Sequence, residues 1–184
     1  MNMVIVTNRT IDYIFEIMVL LIIDPQIDFI SGSLAVADGM RAMDWLTIYI
    51  EQYIPDIEHI VITMDQHPMD HCSFKPFGGM WPPHCIRYSS GASIYPPLFS
   101  MLMKVQDKVK SILFIEKATS SEKDAYSAFE SSVPDVLSEA DRIMVGGIAG
   151  DFCVKASVED LARHGLSDRL FLLNEAIAYI NPPH

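Results

Sequence analysis

Five short runs in which apolar residues dominate punctuate the chain: Val19–Asp24 (VLLIID), Ile60–Asp65 (IVITMD), Ser111–Lys117 (SILFIEK), Arg142–Ile148 (RIMVGGI) and Arg169–Asn174 (RLFLLN). Runs of this length, without a polar alternate position, predict strands buried on both faces. Between them the apolar positions change period. Met43, Leu46, Ile50 and Tyr53 recur at helical spacing, as do Leu98, Met101, Leu102, Val105 and Val109. Val154, Val158, Leu161 and Ala162 form a third stripe, with Gly165 placed to end it. Strands alternating with amphipathic helices predict a three-layer α/β fold, a mainly parallel twisted sheet with helices on both faces. No repeat or linker divides residues 18–184, which read as a single domain. Residues 1–17 read as an N-terminal extension of unknown structure, with Met18 a second candidate start.

Composition narrows the class. Of 184 residues half are hydrophobic and a fifth charged, as in a compact globular protein. A formal charge of −11 argues against nucleic acid and anionic membrane surfaces, which need clustered Lys and Arg. The apolar stretch 11–23 carries Asp12 and Glu16 and falls short of the roughly 20 residues of a membrane span. Arg9 is the one basic residue ahead of it and no cleavage pattern follows, so a secretory signal is not expected. Three cysteines make no disulfide framework and point to a reducing compartment, the cytoplasm.

The charged residues stand where such a fold binds ligands, at the carboxyl ends of the strands. Asp24, Asp65 and Lys117 end three of the runs, and Cys153 follows a fourth in GGIAGDFCV. Small residues directly before a helical stripe place the Cys153 thiol at a helix N-terminus, where N–H groups stabilise a thiolate or a developing oxyanion. The alternative is an inert buried cysteine among glycines needed for packing. Asp24 is the candidate for taking the thiol proton, and Lys117 for steadying both charges.

The long Pro-, Gly- and Ser-rich region 66–96 carries DQHPMDHCSF (65–74) and WPPHC (81–85). Asp65 and His67, two apart in an extended segment, point to one side and with His84 make a carboxylate–imidazole–imidazole set for zinc, iron or manganese. His71 is a candidate fourth ligand or a support behind one. A structural zinc site from His71, Cys72, His84 and Cys85 is the competing design. His59, His164 and His184 read as solvated.

Five motifs then stand in order: DPQIDF (24–29), Asp65-x-His67-Pro with His71-x-Ser73-Phe74, WPPHC (81–85), Lys117 followed by DAYSAF (124–129), and GIAGDFCV (147–154). Together they resemble the nicotinamidase/pyrazinamidase branch of the isochorismatase-like hydrolases, over about residues 18–176. The resemblance implies a sheet of about six strands and a catalytic triad of Cys153, Asp24 and Lys117. It implies one divalent metal ion on Asp65, His67 and His84, with a variable fourth ligand. Phe29 and Trp81 would sandwich a ring whose nitrogen meets the metal, with Tyr126 nearby. A cis peptide is implied at Ile148–Ala149, with the N–H groups of Ala149 and Cys153 as the oxyanion donors. The implied reaction is hydrolysis of nicotinamide, and of pyrazinamide, through a Cys thioester. A sibling amidase on another small amide or carbamoyl compound, and a non-catalytic ligand-binding relative, are the alternatives; a homo-oligomer is left open. Gly150 replaces a common Thr, Ile27 replaces a usual Asn, and the chain ends soon after its fifth run.

Overall fold

A computed structural model describes residues 16–181. The extension expected over 1–17 therefore lies outside the described residues except for Glu16 and Ile17. Among the described residues no helix is long and apolar enough to cross a membrane.

All five apolar runs form strands: β1 Met18–Ile23, β2 Ile57–Asp65, β3 Ser111–Lys117, β4 Arg142–Ile148 and β5 Leu170–Ala178. They make one parallel sheet in the order β3-β2-β1-β4-β5. The helices are α1 Ile27–Ile30, α2 Gly39–Tyr53, α3 Pro96–Val105, α4 Asp135–Ser138 and α5 Lys155–Arg163. No sixth strand occurs among the described residues; after β5 the chain continues through Tyr179, Ile180 and Asn181.

β1 lies at the centre and is buried along its whole length. Its alternate residues feed two cores, because successive side chains of a strand point to opposite faces. Leu20 and Ile22 pack with Met43, Leu46 and Ile50 of α2 and Leu98 and Leu102 of α3. Val19, Leu21 and Ile23 pack with Phe129, Leu137 of α4 and Leu161 of α5. Each fully buried aliphatic side chain contributes roughly 1.5–3 kcal/mol, so the two cores together clamp β1. Within α2 the inward position is taken by Tyr49, while Tyr53 is exposed. Val109 lies beyond the end of α3 and still packs on the first core.

The connection reverses direction at β1: β2 and β3 lie to one side, β4 and β5 to the other. That places a crevice between the carboxyl ends of β1 and β4, the switch point where such sheets hold ligands. β5 departs from its expected bounds for a visible reason. Val145 pairs with Leu172 but Gly147 with Ile177, so β5 bulges by three residues and then rejoins β4 at Ile177 and Ala178. Beyond the bulge, Ile180 reaches the crevice.

Candidate active site

Three strand ends converge first. In the sheet order, Lys117 and Asp65 end β3 and β2 and Asp24 directly follows β1, so Asp65 stands between the other two. The Lys117 ammonium reaches past it, with Nζ 2.5 Å from Asp65 Oδ1 and 2.9 Å from Asp24 Oδ2. The same Nζ donates to the Ala125 carbonyl at 3.2 Å and lies 3.5 Å from Cys153 Sγ. Thr63 Oγ1 donates to Asp24 Oδ1 at 2.7 Å, and the Asp24 N–H donates to the Thr63 carbonyl at 3.1 Å. Asp24 and Ala118 hold left-handed φ angles of 48° and 51°, turning the chain sharply off β1 and β3. Buried charges require such pairing, since an unpaired one would cost several kcal/mol.

The electrostatics follow from this packing. Burial works against the Lys117 charge, but Asp24, Asp65 and the Cys153 sulfur hold its pKa well above the ordinary lysine value. Burial also pushes the Asp24 carboxyl up, with Asp65 adding to the shift and Lys117 opposing it. For Asp65 burial is outweighed chiefly by Lys117, which holds its carboxyl well below the usual range. Burial drives the Cys153 thiol well up, and only Lys117 pulls it back. The resting sulfur is thus a thiol beside a carboxylate whose raised pKa suits proton exchange.

Cys153 rides on a π turn, Gly150–Val154, that leads into α5. The Ala149 carbonyl accepts the N–H groups of Phe152 and Val154, each at 3.0 Å, which folds the turn back on itself. The Ile148–Ala149 peptide is cis, as the resemblance implied.

The imidazoles come from the loop. Asp65, His67 and His84 bring ligand atoms within 4.8 Å of one another, all buried. His67 Nδ1 faces the Ala118 carbonyl at 3.2 Å and His84 Nδ1 faces the Pro82 carbonyl at 2.7 Å. Carbonyls only accept, so each Nδ1 donates, and in the neutral imidazole the Nε2 lone pair is then the one offered to a metal. His67 Nε2 faces Asp65 Oδ2 at 3.5 Å and has no hydrogen-bond partner. An unpartnered buried imidazole nitrogen beside a carboxylate suits a cation between them, and imidazoles oriented by carbonyls are the usual support of a metal site. His71 stands behind His67, ring centroids 4.1 Å apart, with Nδ1 2.7 Å from Ser73 Oγ. That nitrogen also accepts the Ser73 N–H at 3.3 Å. It is not a member of the three-residue cluster.

Two side chains of the DPQIDF motif, to which the sequence alone assigns no role, hold this arrangement. Gln26, fully buried, donates from Nε2 to the carbonyls of Asp65 at 2.7 Å and Ala92 at 2.9 Å. Its Oε1 accepts the Asp65 N–H at 2.8 Å. Asp28 accepts the Cys85 N–H at 2.7 Å and the Ser33 N–H at 3.0 Å. A Cβ at Gly32 or Gly91 would collide with its carboxylate, so glycine at both positions lets the loop close around it. Cys85 accepts the His67 N–H on its carbonyl at 3.0 Å, tying the two imidazole segments together.

Between thiol and imidazoles lies a narrow pocket lined by Phe29, Trp81, Tyr126, Ala149, Phe152 and Cys153 among others. Trp81 Nε1 donates to the Tyr126 hydroxyl at 3.1 Å. Phe152 sits edge-on to Trp81, centroids 5.1 Å apart, and 5.7 Å from Tyr126. Phe152 is absent from the expected ring contacts, although it stands one residue before Cys153. A wider groove along α2, lined by Met40, Trp45 and Ile48, holds no convergent chemistry.

Every expected site residue therefore reaches one crevice, and Asp65 serves both halves. Cys85 is fully buried and Cys72 half-buried, both as free thiols. The competing His71, Cys72, His84 and Cys85 set is not among the ligand clusters of the described residues. His59 is half-buried, not solvated, its Nδ1 meeting Ser111 Oγ at 2.7 Å; His164 is exposed as expected, although its Nε2 meets the Phe129 carbonyl at 3.0 Å. His184 lies outside the described residues.

A doubly wound sheet with a thiol, a carboxylate and an ammonium meeting over its carboxyl edge is the design of a cysteine-dependent hydrolase. The chain belongs to the isochorismatase family, whose domain profile matches residues 18–184. It is 31% identical over 162 residues to the nicotinamidase/pyrazinamidase of Mycobacterium tuberculosis, covering 83% of each chain. It is likewise 31% identical over 171 residues to the nicotinamidase of Escherichia coli, covering 79% of this chain and 76% of that one. The pyrazinamidase of Pyrococcus horikoshii, solved in complex with zinc, matches at 31% identity with a TM-score of 0.74, covering 90% of this chain and 88% of that one. PnC1 from L. infantum, solved with nicotinate, matches at 30% identity with a TM-score of 0.71, covering 90% and 83%.

Proposed function

We propose that this protein is a nicotinamidase that hydrolyses nicotinamide to nicotinate and ammonia and also accepts pyrazinamide. One observation carries the reading: Asp65 is shared between a buried thiol–ammonium–carboxylate cluster and a pair of lone-pair-bearing imidazoles. The relatives solved with zinc and with nicotinate support it.

In the reading, Asp24 accepts the Cys153 proton as sulfur attacks the carboxamide carbon. The N–H groups of Ala149 and Cys153 donate hydrogen bonds to the developing oxyanion. Asp24 returns the proton to the departing ammonia, then takes one from the water that cleaves the thioester, releasing nicotinate and the thiol. Lys117 keeps its positive charge throughout and steadies carboxylate and sulfur. Phe29, Trp81, Tyr126 and Phe152 exclude water and hold the ring. Asp65, His67 and His84 would hold a divalent ion, zinc, iron or manganese, which supplies a Lewis-acid anchor for a ring nitrogen. His71 orients His67 from behind. Three unpaired cysteines fit a cytoplasmic protein.

The test is ammonia release from nicotinamide by the purified protein, before and after a chelator, with metal analysis of the same sample. Turnover lost with the metal and regained on its return is expected. A fully metallated protein that releases no ammonia from nicotinamide or pyrazinamide overturns the reading.

A further inference from the structure

The end of the described chain forms a wall that the reaction scheme above does not use. Ile180 lines the pocket together with Phe29, Leu34, Ala149 and Phe152, and packs on the first core beside them. It follows the β5 bulge directly, and the turn that carries Cys153 holds it in place. Asp151, two residues before the nucleophile, accepts the Ile180 N–H on Oδ1 at 3.0 Å. Its Oδ2 accepts both the N–H and the side-chain amide of Asn181, each at 2.9 Å. Alongside, the Tyr179 ring lies directly against Gly150, so close that any Cβ at 150 would overlap it. Three hydrogen bonds to one carboxylate and one ring against a bare Cα therefore lock residues 179–181 to the nucleophile turn. Hydrogen bonds to an ionised acceptor are the stronger kind, and those on Asp151 together outweigh burial and lower its pKa.

We propose that Ile180 is a specificity-determining residue that limits the size of the ring accepted beside Cys153, and that Asp151 is the positioning residue that holds it there. The occupant is a planar aromatic amide without a substituent on the side that meets Ile180. Shortening Ile180 opens that side. Weakening the Asp151 latch releases the wall and opens the same side without touching the pocket. The substrate assay below rests on the amidase reading; the labelling assay does not.

The experiment compares wild type with Ile180→Ala, Asp151→Asn and the double variant, with Asn181→Ala as a milder break of the latch. The first readout is kcat/KM for a ring-methylated nicotinamide relative to nicotinamide. The expected ratio rises about 10-fold in Ile180→Ala, through KM, the size typical of one methyl group in an apolar pocket. Asp151→Asn shifts the ratio in the same direction, and the double variant exceeds Ile180→Ala by less than about twofold, since coupled residues are not additive. The second readout is alkylation of Cys153 by N-benzyliodoacetamide relative to iodoacetamide, followed by peptide mass spectrometry so that Cys72 does not interfere. The benzyl reagent is expected to gain about fivefold in Ile180→Ala and in Asp151→Asn, by the same removal of one steric wall. A labelling ratio unchanged in Ile180→Ala overturns the wall, whatever the substrate. A shift in Ile180→Ala without one in Asp151→Asn or Asn181→Ala overturns the latch. If the labelling ratio shifts while wild type releases no ammonia, the wall stands and the nicotinamidase reading fails.

Discussion

The two halves of the crevice are built in different ways. Asp24, Lys117 and Cys153 come from strand ends and the turn after β4, and their charges neutralise one another within the protein. His67 and His84 come from a loop with only a short 3-10 turn of its own, and their Nε2 lone pairs face inward together. The first half is complete within the protein; the second is an arrangement of donors suited to a cation. The sheet sets the first half by register, Asp65 lying opposite Lys117. The second depends on the grip of Gln26 and Asp28, so the two halves should fail differently when disturbed.

The largest effect should come from the thiol. Cys153→Ala should lower turnover by about 10⁴-fold or more, as removal of a nucleophile does, while metal analysis shows the metal content of wild type. Next comes the cation common to both carboxylates. Lys117→Met leaves Asp24 and Asp65 buried together without a counter-charge, which should cost about 3–5 kcal/mol; the check is urea unfolding. A loss below about 1 kcal/mol would mean that the pair is solvated after all.

The loop half should respond more gently. Asp28→Asn places an amide against the Cys85 N–H and loosens the segment bearing His84. Metal affinity should fall about 10–100-fold, with activity recovering at excess metal, the behaviour of a residue supporting a ligand from behind. Titration with zinc against a competing chelator measures it, and unchanged affinity would show that the loop stands without this carboxylate. Smallest of all, Tyr126→Phe removes the acceptor of the Trp81 indole. A net loss of about 1 kcal/mol is expected, read as a several-fold rise in KM at constant kcat.

The same contrast explains what can be read from the chain. Charges that close apolar runs are conspicuous, so Asp24, Asp65 and Lys117 stand out in the sequence by themselves. Their mutual order does not, because strand order is not written in hydrophobic period: only with β2 between β1 and β3 does Asp65 become the shared residue. Gln26 and Asp28 stand inside DPQIDF, yet their roles are not legible there: a neutral amide in a loop carries no pattern, and the partners of Asp28 are backbone N–H groups, that of Cys85 far along the chain. Ile180 is hidden by the β5 bulge. Exposed Asn174 and Glu175 interrupt the apolar run there, and burial resumes only at Ala176. The sixth strand implied by resemblance is absent among the described residues, and the latched residues 179–181 close the crevice instead.

Gln26 has one more consequence. It presents to Asp65 the donor and acceptor of a peptide group, so β2 ends against a side chain posing as a neighbouring strand. The Asp65 amide proton should therefore exchange with deuterium as slowly as one in the sheet interior, although it lies at the strand's last position. Gln26→Ala should free that single proton while leaving those of Ile60 to Ile62 slow. Exchange at one amide would then report the order of the whole crevice in a protein given neither metal nor substrate.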